Sequence, residues 1–62
     1  MIKLDKEYRY RGINPRISKG KVGNITGIID EIFVEFTVFE PGEGGGFVAF
    51  RVKFSSLEII DG

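Results

Sequence analysis

Ile32-Phe33-Val34-Glu35-Phe36-Thr37-Val38-Phe39, then Glu40-Pro41-Gly42-Glu43-Gly44-Gly45-Gly46, then Phe47-Val48-Ala49-Phe50-Arg51-Val52-Lys53-Phe54: this stretch decides the fold. Both outer segments alternate with period two, the pattern of strands with one buried face. The segment between them is rich in turn-forming glycine and proline. Folding the stretch about Glu43 sets Ile32 opposite Phe54, Val34 opposite Val52, Phe36 opposite Phe50 and Val38 opposite Val48. Every one of those pairs is apolar, so they define the core face. The other face pairs Phe33 with Lys53, Glu35 with Arg51, Thr37 with Ala49 and Phe39 with Phe47. It offers one pair of opposite charges, one cation–π pair and one aromatic pair. A slip of one residue exchanges the two faces and buries charge, so the register is strongly specified.

The remainder of the chain is read outward from this hairpin. Tyr8-Arg9-Tyr10-Arg11 alternates and predicts a first strand with both tyrosines on one face. Residues 12–20, with Asn14-Pro15 inside, predict a loop. Lys21 to Ile29 predicts a second strand, bent or bulged at Gly23 and Gly27. Asp30-Glu31 is a short turn into the hairpin. Ser55-Ser56-Leu57 predicts one helical turn, and Glu58-Ile59-Ile60 a last short strand.

The composition agrees with an all-β chain. Ile, Val, Phe, Tyr and Thr are abundant, Ala occurs once and Leu twice. With 62 residues there is room for one domain, residues 1–62, and too little for a core and a deep enclosed pocket together. Five short strands with a single turn before the fifth resemble a small SH3-like barrel. An OB-type barrel is the alternative. Closing the sheet would also remove edges that invite aggregation.

Function classes are limited by what is missing. Cysteine and histidine are absent, which excludes disulfides, thiolate metal sites and the commonest general base. Ser18, Ser55 and Ser56 therefore have no histidine to activate them. No carboxylates show calcium-loop spacing, and Asp30-Glu31 sits in a turn where both groups are solvated. The glycine-rich loop is not a phosphate loop, because no helix and no Lys-Ser or Lys-Thr pair follows it. The expectation is a non-enzymatic chain with no cofactor and no metal. No apolar run approaches membrane-spanning length, and the first residues hold none of signal-peptide length. A cytoplasmic chain is expected.

Two surfaces are candidates for binding. Phe33, Phe39 and Phe47 fall on the face opposite the core, and an exposed aromatic cluster marks a protein partner or a second copy of the chain. The same rings are hidden if Ile2 and Leu4 lie across them. The second surface is electrostatic. Residues 1–21 carry seven Lys or Arg against Asp5 and Glu7, a net charge of +5. Residues 22–62 carry Arg51 and Lys53 against seven carboxylates, a net charge of −5. Arg9, Arg11, Arg16, Lys19 and Lys21 are candidates to neutralise phosphates, with Tyr8 or Tyr10 to stack on a base. Alternatively, the two halves neutralise each other across the fold.

The segment Lys19-Gly20-Lys21-Val22-Gly23-Asn24-Ile25-Thr26-Gly27-Ile28, running on to Val34-Glu35-Phe36, resembles a KOW motif, with Gly23 at the characteristic glycine. The ending Phe54-Ser55-Ser56-Leu57-Glu58-Ile59-Ile60 is similar to the closing turn and strand of SH3-like and Tudor-like domains. The KOW resemblance implies nucleic-acid binding through the basic first third. A Tudor-like reading implies Tyr8 or Tyr10 caging a methylated cation with phenylalanines. Free-standing SH3-like domains of this size also resemble phage and plasmid accessory proteins. The primary expectation is a non-catalytic module, monomer or weak homodimer, that binds a protein of unknown identity. Nucleic acid is the alternative partner, and no membrane is expected.

Overall fold

A computed structural model describes residues 2–4 and 6–60. Five strands follow one another: β1 (Glu7–Tyr10), β2 (Val22–Ile28), β3 (Phe33–Glu40), β4 (Gly46–Lys53) and β5 (Leu57–Ile59). One 3-10 turn, Phe54–Ser56, separates β4 from β5. All strand pairs are antiparallel and form a single sheet in the order β4-β3-β2-β1-β5.

The β3–β4 register is the one that the apolar alternation dictates. Val34 lies opposite Val52, Phe36 opposite Phe50, Val38 opposite Val48 and Phe39 opposite Phe47. Beyond the ladder, the Phe54 amide donates to the Ile32 carbonyl at 2.8 Å. Ile32 itself precedes β3 and is exposed, so it is not part of the buried face that the alternation assigned to it.

The sheet does not close. Its two edges are β4 and β5, where the sequence led us to expect a barrel without edges. The physical reason lies in β5, which has three residues and pairs only with β1. It is too short to carry the ladder round to β4.

The core consists of Tyr8, Tyr10, Ile17, Ile25, Val34, Phe36, Val38 and Val52. Burial of each such side chain contributes roughly 1.5–3 kcal/mol. Phe36 is at its centre, stacked on Tyr10 with ring centroids 6.4 Å apart. Tyr8 meets Phe54 edge-on at 6.0 Å. Ile2 packs against this cluster, Leu4 is exposed, and Phe39 and Phe47 on the outer face of the hairpin stay exposed.

Two local features shape β2. Its register with β3 shifts between Ile25 and Gly27, which leaves Thr26 as the extra residue of a bulge. The Thr26 hydroxyl donates to Glu35 Oε1 at 2.6 Å, and Thr37 Oγ1 lies 2.7 Å from Thr26 Oγ1. With its one proton committed to Glu35, Thr26 accepts from Thr37. Gly23 is buried against β3, and a Cβ there would run into the Thr37 carbonyl oxygen and Val38 Cγ1. Only glycine fits so close an approach of two strands.

Candidate binding surfaces

The loop between β1 and β2 is held by Tyr10. Its backbone amide donates to the Lys21 carbonyl at 2.8 Å, and its carbonyl accepts from the Gly20 amide at 2.9 Å. Its hydroxyl accepts from the Asn14 amide at 2.9 Å. Asn14 Oδ1 accepts in turn from the Arg16 amide at 2.9 Å. Gly12 makes room for this arrangement, since a Cβ at that position would overlap the Tyr10 hydroxyl and ring edge. The Arg11 amide ties the start of the loop to the 3-10 turn by donating to the Ser56 carbonyl at 2.7 Å. Ile17 anchors the far side of the loop in the core.

These contacts leave an open cleft of about 530 Å³ between the loop, the 3-10 turn and the adjoining ends of β3 and β4. Its apolar walls include Tyr10, Ile13, Phe33 and Val52, and Ser55 and Ser56 line it from the turn. Ile13 is 97% exposed, an aliphatic side chain presented to solvent beside the cleft. The two charged lining residues, Arg51 and Lys53, are both cationic. The Arg51 guanidinium lies 5.0 Å from the Phe33 ring centroid, a cation–π arrangement. Here the structure corrects the expected partner, since the cation over Phe33 is the diagonal Arg51 and not the directly opposite Lys53.

The turn before β3 fixes one end of the cleft. Asp30 Oδ1 accepts from the Ile32 and Phe33 amides, each at 2.8 Å. Those bonds, first Phe33 and then Ile32, hold the Asp30 carboxyl below the usual carboxylate range, and Arg51 lowers it further.

The three predicted aromatic residues do not form one patch. Phe33 borders the cleft. Phe39 and Phe47 meet edge-on at the other end of the hairpin, with centroids 5.5 Å apart. Six residues of extended strand separate Phe33 from Phe39, roughly 20 Å. Phe39 is 53% exposed and Phe47 79%.

The basic first third is partly neutralised within the fold. Arg9 and Arg11 reach Glu58 Oε1 at 3.7 and 3.4 Å, and Lys21 reaches Glu40 Oε2 at 3.4 Å. Arg16 and Lys19 have no ion-pair partner among the described residues. Tyr8 and Tyr10 are 2% and 4% exposed, which corrects their expected role as base-stacking or cation-caging groups. Their alternation with arginine is that of a strand with one buried face, and the tyrosines occupy that face.

Among the described residues no cluster of carboxylates is placed to hold a metal ion, and no helix is long and apolar enough to cross a membrane. Sequence reasoning missed the part played by Ile13 and by the 3-10 turn in the cleft. The available signal was a loop holding two isoleucines, Ile13 and Ile17, where one suffices to anchor it. No protein-family model, curated protein or solved structure matches the chain.

Proposed function

We propose that the protein is a small, non-catalytic, SH3-like binding module that takes an extended segment of another protein in the cleft. The observation that carries this reading is the convergence of Ile13, Phe33, Arg51 and Lys53 on one open cleft. Apolar walls with a few placed polar groups are the usual make-up of a binding site. Both charged lining groups are cationic, so the fitting segment carries an aliphatic or aromatic anchor next to Asp or Glu. The strand order and the 3-10 turn before the last strand support kinship with SH3-like domains. The Phe39–Phe47 pair is a separate surface.

The test is peptide-display selection on the intact protein, followed by titration of the selected peptide. Enrichment of an apolar residue beside an acidic one is expected. Phe33→Ala or Arg51→Ala should weaken binding about tenfold, some 1.4 kcal/mol, while Phe47→Ser leaves it unchanged. Selected peptides indifferent to both Phe33 and Arg51 would refute the assignment. Oligonucleotide binding that collapses between about 50 and about 200 mM salt would move the function to Arg16 and Lys19 instead.

A further inference from the structure

The open sheet leaves β4 with one bare edge. Its eight residues pair with β3 without a bulge, so the edge is continuous. Among the described residues, no strand pairs with its other side. Natural edges are usually blunted by proline, by bulges or by charge. Gly46-Phe47-Val48-Ala49-Phe50 has none of these, and the charged residues of the strand, Arg51 and Lys53, stand at its far end. The core is also thinnest along this edge. Val48 and Phe50 are on the core-facing side, yet Val48 is 39% exposed and Phe50 only partly buried.

We propose that β4 pairs antiparallel with β4 of a second copy about a two-fold axis at Ala49, joining two sheets into one. The face parity of the strand permits this. Opposed residues whose numbers have an even sum keep core faces on one side of the joined sheet, whereas an odd sum turns one sheet over. Centring on Ala49 sets Val48 against Phe50 of the other copy, twice, and so covers the exposed part of the core. Centring on Phe50 would set Val48 against Val52, which is already buried. On the outer face, the Ala49 register sets Phe47 against the partner's Arg51. Charge fits the same arrangement. The loop before β4 carries Glu43, and its far end carries Arg51 and Lys53. Antiparallel pairing brings the basic end of each strand to the acidic end of the other. The interface is self-complementary, as a two-fold contact requires. It is also small, so the dimer is reversible and forms with rising concentration.

The cysteine-free chain makes the test clean. Sedimentation over about a hundredfold range of protein concentration should show monomer passing to dimer. Ala49→Lys places two ammonium groups across the axis and should weaken self-association about tenfold or more. Ala49 is exposed on the outer face, so this variant should keep the wild-type circular dichroism spectrum. Ala49→Cys should form a disulfide-linked dimer under mild oxidation, faster than Ser18→Cys in the exposed loop. This variant reads the pairing even if Ala49→Lys fails to fold. Wild-type monomer at every concentration would overturn the proposal. So would a dimer that Ala49→Lys leaves intact, or equal cross-linking at residues 18 and 49.

Discussion

Tyr10→Phe isolates one oxygen atom. The ring remains, its stacking on Phe36 remains, and so do the backbone bonds to Gly20 and Lys21. Lost is the acceptor for the Asn14 amide at 2.9 Å. A neutral intramolecular hydrogen bond contributes about 1 kcal/mol net, and water can reach this half-buried amide, which keeps the cost from rising toward about 3 kcal/mol. For a domain this small, about 1 kcal/mol lowers the unfolding midpoint by roughly 4–8 °C. Thermal unfolding followed by circular dichroism measures this. Hydrogen exchange at the Asn14 amide should quicken, because its partner is gone. Peptide affinity should fall several-fold, since the Asn14 end of the loop, beside Ile13, loses its tie to the Tyr10 hydroxyl while Ile17 and the backbone bonds still hold the rest. Tyr10→Ala differs in kind. Truncating a buried aromatic costs about 3–5 kcal/mol, comparable to the roughly 3–9 kcal/mol that stabilises a chain of this length, and the protein should not fold. A Tyr10→Phe protein with unchanged midpoint and unchanged Asn14 protection would refute the hydroxyl as anchor of the loop.

Gly23→Ala should cost about 1–3 kcal/mol by overpacking β2 against β3, read as a lower urea midpoint with little change in slope. Asp30 gives a pH signature. Its folded value lies below its ordinary 3.8, so its stabilising contribution is present above about pH 4 and is lost as pH falls through the lower folded value. Urea midpoints measured from neutral to acid pH should fall in that window, and Asp30→Ala should be less stable at neutral pH with a flatter acid limb.

The hairpin register was legible because β3 and β4 alternate over equal lengths about a glycine-rich turn, and burial of charge penalises every odd slip. The ends of all five strands, the hairpin's included, lie one residue from their expected places. The tyrosines show what alternation leaves open. It places Tyr8 and Tyr10 on the same face, but the choice between core and solvent depends on β2 and β5, which are distant in sequence. Closure was not legible for a related reason. Barrel or open sheet is set by strand length and curvature at the ends, and β5 is short. Ile17 entered the core from a loop without periodicity, so no pattern announced it. Of the proposed site, Phe33 could be read from the hairpin, whereas the register pairs Arg51 with Glu35 across the strands and its place over Phe33 depends on side-chain direction; the cleft itself depends on Tyr10 folding the loop toward the 3-10 turn.

The place of β1 between β2 and β5 has a consequence for the order of folding. Tyr8 lies opposite Gly23 on one side and opposite Ile59 on the other. The β2–β3–β4 meander joins neighbours in sequence, so its loops close at little entropic cost. The β1–β5 ladder spans most of the chain and closes only after the meander exists to hold β1 in place. Such distant pairing sets the pace in chains with many non-local contacts. The docking of β5 is therefore the late, rate-setting event, and in native-state exchange the amides of Leu57–Ile59 should be the first of the strand amides to open.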